Sequence, residues 1–507
     1  MRIDARQLFA TWHPKRRRWS SNALWIGLAL IGFLHLARGA PVHQVESIAA
    51  GAQPHYIAAS MDTGPRLRID ARRLVNATRR LLGWIGRWSL RALWIGLALI
   101  GFLHLTRGTA IRHVKGIGAD DVPIAVSEPE FPLKATMLTG ALLTSGNRVE
   151  IALDGDGTYP RLWEDLRSAG HSIDVQVYYG GLGRMARELG QILRDRAAAG
   201  VRVRVLSDAF GTSGIPSAQL DVMRAAGVLV EHFRPIRLST LHLAQHRSHV
   251  RGIVIDDRIA WTGGFGVADK WFGDGRTNGS WRETNVRFEG PAVRQLQAAF
   301  IAAWSEATGI LVTGRPTLAP LDDEAGLAGL LYTAPTMGST AAERFFAVSI
   351  AGARKTLYIT NSYFAPGRPF VELLGDAARR GVDVRILTAG PMTDVKVVRW
   401  AGRSWYDTLL TAGVRIYEWQ PTVLHAKTFV VDGQWVTIGS MNFDNRSLAL
   451  NDEATLMVLD PAVGQRMNQV FLDDLRYSDE ITLANFRKRS PVERVAERAS
   501  NLIGRLL

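Results

Sequence analysis

Two stretches of this chain, 176 positions apart, carry the same spaced triplet: His249, Arg251 and Asp256 in SHVRGIVIDDRIAWTGG, and His425, Lys427 and Asp432 in HAKTFVVDGQWVTIGSMNFDNRS. Each triplet is followed by an apolar run and then by small residues, Thr262, Gly263 and Gly264 in one case and Ile438, Gly439 and Ser440 in the other. The surroundings repeat as well: AAAGVRVRVL matches ARRGVDVRIL at an offset of 181, and AAGVLVEHF matches TAGVRIYEW at 186. Repetition at a period of about 180 residues confines the chain to two similar halves, each with its own copy of the triplet.

Within each half the element signals alternate. SIDVQVYY (172–179) reads as a buried strand, GRMARELGQILRDRAAAG (183–200) as an amphipathic helix closed by glycine, and VRVRVLSD (201–208) as the next strand. KTLYITNSYF (355–364), PFVELLGDAARRG and VDVRILTAG (382–390) repeat that order. The expected fold class is α/β: two similar α/β/α halves, 145–315 and 325–484, forming one catalytic body behind N-terminal membrane-anchor helices. Residues 118–144 read as a polar linker and 485–507 as a basic amphipathic helix.

Residues i and i+2 of a strand share a face, so His249 with Arg251, and His425 with Lys427, each present an imidazole beside a cation. Asp256 and Asp432 then fall in the dipeptides DD and DG, where shaping a hairpin turn competes with touching a substrate. The amides of the small residues that follow, Gly264 and Ser440 among them, can approach an anion closely. Such a pair suits phosphoryl transfer from a diester. One imidazole attacks phosphorus, the other protonates the leaving alkoxide and later deprotonates the incoming alcohol or water, and the flanking cations neutralise the phosphate oxygens. This chemistry requires no metal and no other cofactor. The chain has no cysteine, which excludes thiolate metal sites and cysteine nucleophiles. Glu283 and Glu453, 34 and 28 residues downstream of the histidine of their own half, are the candidates to hold each imidazole in one tautomer. His242 and His246 form a weak H-x3-H pair with no carboxylate close by in sequence.

Charge separates the chain into regions. Residues 1–117 hold 18 Lys/Arg against 4 Asp/Glu, and the remaining 390 residues sum to zero. The body therefore lacks the basic bias of a polyanion-tracking surface, and nucleic acid is not an expected partner. ALWIGLALIGFLHL occurs at 23–36 and again at 92–105, preceded by KRRR (15–18) and RWSLR (87–91). Apolar runs with basic entrances read as membrane anchors, and their near identity points to a recent duplication or to a start at Met61. One anchor entering N-terminus first would place the body outside a bacterial inner membrane and two would return it to the cytoplasm, the side expected here because the nine Arg between 37 and 91 resist translocation. At the other end, Ser490, Pro491 and Glu493 form a helix start. Val492, Val495, Ala496, Ala499, Leu502, Ile503 and Leu506 follow as one apolar stripe, which either docks on the body or lies in a lipid interface.

These residues together resemble the phospholipase D superfamily, and specifically the bacterial cardiolipin synthases, from about residue 145 onward. HAKTFVVD with GSMNFDNRSLALNDE is similar to the family's second motif at its His, Lys, Asp, Gly-Ser, Asn, Asp-x-Arg-Ser and Asn-x-Glu positions. ITNSYFAPG and WRETNVRFEGPAV are similar to other family stretches. The resemblance implies that His249 is the nucleophile and His425 the general acid and base, with Arg251, Asp256, Lys427 and Asp432 completing the catalytic motifs. It implies phosphate binding by Lys427, Ser440 and Asn442. It further implies a membrane-bound phosphatidyltransferase that joins two molecules of phosphatidylglycerol into cardiolipin through a phosphohistidine, releasing glycerol. Hydrolysis or transfer to another alcohol is the alternative, and a nuclease or other phosphodiesterase a more distant one. The implied partners are an anionic phospholipid and the membrane, with the oligomeric state left open. The first motif departs from the family at Arg251, where Lys is usual, and at Gly266, where an Asn usually follows the glycines.

Overall fold

The computed structural model describes residues 111–116, 122–237, 243–313, 326–335 and 339–502, together with 89, 91–96 and 240. The chain divides into two units, Met1–Leu99 and Ile100–Leu507. In the first, residues 91–96 are helical. The segment 23–36 and most of 92–105 lie outside the described residues, so the expected anchors do too. No helix among the described residues is long and apolar enough to cross a membrane.

In the unit Ile100–Leu507 the strand order is that of two copies of one pattern. The first half contributes β1 (Thr144–Leu153), β2 (Ser172–Val177), β3 (Arg202–Asp208), β4 (Leu229–Phe233), β5 (Gly252–Ile255), β6 (Ile259–Gly263) and β7 (Thr284–Glu289). The second contributes β8 (Gly326–Thr333), β9 (Thr356–Asn361), β10 (Asp383–Ala389), β11 (Arg415–Trp419), β12 (Lys427–Val431), β13 (Trp435–Gly439), β14 (Glu453–Leu459) and β15 (Ser478–Ile481). Spatially the halves read β1-β7-β6-β5-β2-β3-β4 and β8-β14-β13-β12-β9-β10-β11, with β15 added at the far edge. β1 pairs antiparallel with β8 and joins them.

Each half mixes two kinds of pairing. β2-β3-β4 and β9-β10-β11 are parallel and need helical crossovers, which Arg184–Ala198, Ser217–Ala225, Arg368–Arg379 and Tyr406–Thr411 supply. β2 reads SIDVQV and is buried at every position, as expected for a strand covered on both faces. β5-β6-β7 and β12-β13-β14 are antiparallel; β5-β6 and β12-β13 join through short turns, β6-β7 and β13-β14 through the long segments 264–283 and 440–452. Outer faces are packed by helices into separate cores. The inner faces share one, in which Val254, Ala260, Val286 and Phe288 meet Val436, Ile438, Ala454 and Leu456. Burying a side chain such as Phe288 in this way stabilises the fold by about 1.5–3 kcal/mol.

One terminal region differs from the sequence expectation, and in the other the structure decides between the two alternatives left open. The expected linker 118–144 contains a helix, Phe131–Thr139, whose Phe131 and Ala135 are fully buried in the outer core of the second half. Phe131 meets Trp435 edge-on at 5.2 Å, so this segment is part of the body. At the other end the helix Pro491–Leu502 starts on the expected Ser490–Glu493 capping box. Its buried positions, however, are Glu497 and Ser500, and the valine stripe is turned outward: Val492 is 77% and Val495 57% exposed. The reason is electrostatic. Glu497 bridges Arg403 at 3.2 Å and Arg489 at 2.8 Å, and those two arginines choose the face that docks.

Candidate active site

His249 and His425 stand just ahead of β5 and β12, each hydrogen-bonded through its backbone to the opposite half. The amide of His249 donates to the carbonyl of Asp452 at 2.8 Å, and that of His425 to the carbonyl of Arg282 at 2.8 Å. The bridges Ser248↔Asp452 and Arg282↔Leu424 run parallel beside them. A residue one step further on is thereby brought under each imidazole. Glu453 lies 2.9 Å from Nδ1 of His249, and Glu283 lies 2.6 Å from Nδ1 of His425. Sequence proximity suggests that each glutamate serves its own half; the structure crosses them, because the backbone bridges that align the chain are themselves between halves.

Facing a carboxylate, Nδ1 carries the proton of each ring, which leaves Nε2 as the basic nitrogen. Glu453 is held by the Ser440 hydroxyl at 2.6 Å and Asn451 at 3.4 Å. Glu283 is held by the Thr284 amide at 3.0 Å and the Trp271 indole N–H at 3.4 Å. Burial pushes both carboxyls up to about 7, against the Ser440 bond in one case and the Lys427 charge in the other. Burial also drives both imidazoles well below their usual value, assisted at His249 by Arg251 and at His425 by Lys427.

The two cations are equally buried. Lys427 donates to the carbonyl of His425, and desolvation lowers its ammonium to about 7. Arg251 lies against the Tyr178 ring and 3.4 Å from the His249 carbonyl, and its Nε has no partner among the described residues. A fully buried guanidinium with an orphan donor is a place prepared for an anion.

Asp256 and Asp432 lie at the far ends of β5 and β12 from the histidines. Both have positive φ, 53° and 51°, and open the three-residue turns 256–258 and 432–434. The Asp256 carboxylate accepts from the amides of Gly170, His171 and Ser172, and that of Asp432 from Arg354, Lys355 and Thr356. Grouping them with the catalytic residues is therefore corrected: they shape the turn and tie it to the start of β2 or β9. Gly264 also has a different task. A Cβ there would stand 2.4 Å from the carboxylate oxygens of Glu283, so its bareness makes room for that side chain. Its counterpart Ser440 spends its hydroxyl on Glu453. Asn442 is buried and accepts from Ser362 at 3.0 Å. Of the weak histidine pair, His242 lies outside the described residues and His246 Nδ1 lies 3.0 Å from the Leu450 carbonyl.

Several residues at the site escaped the sequence reading. Tyr178 packs edge-on to His249 at 4.9 Å, and Trp281 and Trp271 lie 5.0 and 5.5 Å from His425. Trp271 explains the bare Gly266, since a Cβ there would meet the indole at 2.6 Å. The residue beside each glutamate braces the halves: Arg282 pairs with Asp474 at 2.7 Å and Asp154 at 3.2 Å, and Asp452 with Arg234 at 3.3 Å. The available signal was the aromatic and charged density of DKWFGDGRTNGSWRE between β6 and β7.

A fused pair of α/β halves, each lending one His-x-cation strand to a shared buried site, defines a phospholipase D-type enzyme of the phosphatidyltransferase class. The family model described as "Cardiolipin synthase, PLD-like domain" matches residues 162–304 and 347–475, and the chain belongs to that family. A cardiolipin synthase of Geobacillus kaustophilus is 33% identical over 396 residues, covering 76% of this chain and 79% of that protein. Cardiolipin synthase 2 of Staphylococcus epidermidis is 31% identical over 371 residues, covering 72% and 76%. Among solved structures, the phosphatidylserine synthase of Haemophilus influenzae shares the fold with a TM-score of 0.55 at 14% identity, over 74% of this chain and all of that one.

Proposed function

We propose that this enzyme is a membrane-associated phosphatidyltransferase that converts two molecules of phosphatidylglycerol into cardiolipin and glycerol. Nε2 of His249 attacks the phosphorus of the first lipid and breaks its bond to the headgroup glycerol, whose oxygen takes the Nε2 proton of His425, which enters the step as the imidazolium held by Glu283. Glycerol leaves. His425 then removes the proton from a headgroup hydroxyl of the second lipid, and that oxygen displaces His249 from phosphorus, restoring the neutral His249 and the protonated His425. Arg251 and Lys427 neutralise the phosphate oxygens throughout, and the amide of Asn442 supplies a neutral donor.

The observation that carries this reading is the pair of buried histidines, each with Nδ1 facing a glutamate, flanked by Arg251, whose Nε has no partner among the described residues. The relatives named cardiolipin synthase support the choice of lipid, of acceptor and of a membrane setting. The test is to incubate the purified protein with phosphatidylglycerol alone and chromatograph the extracted lipids. Cardiolipin and glycerol in equal amounts are expected; phosphatidic acid alone would replace transfer by hydrolysis. Acid quenching during turnover should trap phosphate on the wild-type chain and none on His249→Ala.

A further inference from the structure

The backbones of the two halves match, but the rims of the site do not. Gly263 and Gly439 close β6 and β13, so Gly266 corresponds to Asn442 and Lys270 to Arg446. In the second half, Asn442 keeps a polar side chain and Arg446 donates to the Gln245 carbonyl at 3.2 Å. In the first half, Gly266 is bare beneath Trp271 and the neighbouring Lys270 points its ammonium among three rings. Its Nζ lies 3.7 Å from the centre of the Trp281 ring, 4.0 Å from Tyr179 and 4.7 Å from Trp271.

Aromatic faces hold a cation in place without cancelling its charge. No carboxylate among the described residues lies within ion-pair distance of Lys270, and the nearby Asp394 takes its hydrogen bond from Tyr363 at 2.7 Å. The location is also particular. Trp281 and Trp271, which cradle the ammonium, are the rings that pack against His425, so Lys270 stands one indole away from the imidazole. It is half-buried where the histidines are fully buried, between the reacting centre and solvent. Burial lowers it only to about 8, so it stays mostly charged at neutral pH.

We propose that Lys270 binds the phosphate of the acceptor lipid, so that the site selects an anionic phospholipid over water or a neutral alcohol. The inference rests on the phosphatidyltransfer reading above. An acceptor phosphatidylglycerol attacking through its headgroup hydroxyl carries its own phosphate three carbons away from the attacking oxygen. Arg251 and Lys427 are by then occupied by the phosphate being transferred, and the second anion needs a cation of its own, just beyond His425. Water and simple alcohols bring no second anion and gain nothing from it.

The test supplies phosphatidylglycerol in mixed micelles with ethanol present, so that cardiolipin and phosphatidylethanol form in competition from one phosphoenzyme. In Lys270→Met the ratio of cardiolipin to phosphatidylethanol should fall by about tenfold or more, the size of a lost charged contact. The loss should appear as a raised KM for the acceptor lipid. Lys270→Arg should keep the ratio within about threefold of wild type, since the charge remains. Should Met disturb the rings, Lys270→Gln removes the charge with a polar chain, and the melting temperature identifies misfolding. An unchanged ratio in both neutral variants, or a parallel fall of both products, overturns the proposal. A wild-type enzyme that makes phosphatidylethanol but no cardiolipin would instead overturn the phosphatidylglycerol-transfer reading beneath it.

Discussion

Nδ1 of His249 sits 2.9 Å from a carboxylate of the other half of the molecule, Glu453, and His425 repeats the relation with Glu283 at 2.6 Å. Each glutamate thus fixes the ring that its own half does not carry. The histidine labelled by a change at Glu283 should be His425. In 15N-histidine spectra, Glu283→Gln is expected to move the Nδ1 signal of His425 and leave His249 in place; the reverse pattern would break the crossed assignment. Loss of the charge that supports the imidazolium should also cost about 100-fold or more in kcat.

The ionisations at the site oppose one another across neutral pH. Glu283 and Glu453 must be charged to accept from Nδ1, and burial has raised both to about 7, so activity falls as pH drops below that value. Lys427 must be charged to hold phosphate, and burial has lowered it to about 7, so activity also falls as pH rises above it. A narrow bell in kcat/KM centred near neutrality is expected, its limbs belonging to the coupled set. Lys427→Arg should extend the alkaline limb, because guanidinium does not deprotonate, and leave the acid limb where it is. A profile flat from about pH 5 to about pH 9 would contradict the burial of these groups.

Arg282 is fully buried between Asp154 of one half and Asp474 of the other. Removing it strands two carboxylates in the interior. Arg282→Ala should destabilise the body by about 3–5 kcal/mol, visible as a lower midpoint in denaturant, whereas a change at an exposed pair such as Arg487–Asp407 should cost about 1 kcal/mol or less.

The C-terminal helix carries its exposed valines beside the exposed Arg494 and Arg498, a surface matched to anionic lipid. Deleting the helix would also remove Glu497 from Arg403 and Arg489, so substitution is the cleaner probe. Val492→Glu with Val495→Glu should leave the melting temperature unchanged and activity on a soluble short-chain substrate intact, while activity on phosphatidylglycerol vesicles falls. Equal activity on both substrates would leave the helix without a lipid role.

The two-half plan was readable because both the triplet and the strand–helix alternation recur, and a strand such as β2 announces its double burial in SIDVQV. The candidate histidines and their cations follow from the same periodicity. Who partners whom did not, since Glu453 reaches His249 through a backbone bridge between residues 204 positions apart, and nothing local encodes it. Which of the two uses left open for the valine stripe applies was hidden for a related reason. Apolar spacing identifies a helix face, but two arginines elsewhere in the fold decided which face would dock. Trp271 and Lys270 were hidden in a loop, where no periodicity exists to read.

Crossed glutamates make the order of synthesis matter. A ribosome releases the first half complete with His249, Arg251 and Glu283, yet the imidazole of that half has no carboxylate to hold it until residue 453 has emerged and the second half has folded against the first. Completion of the His249–Glu453 pair thus waits on β14, one of the last strands to be made.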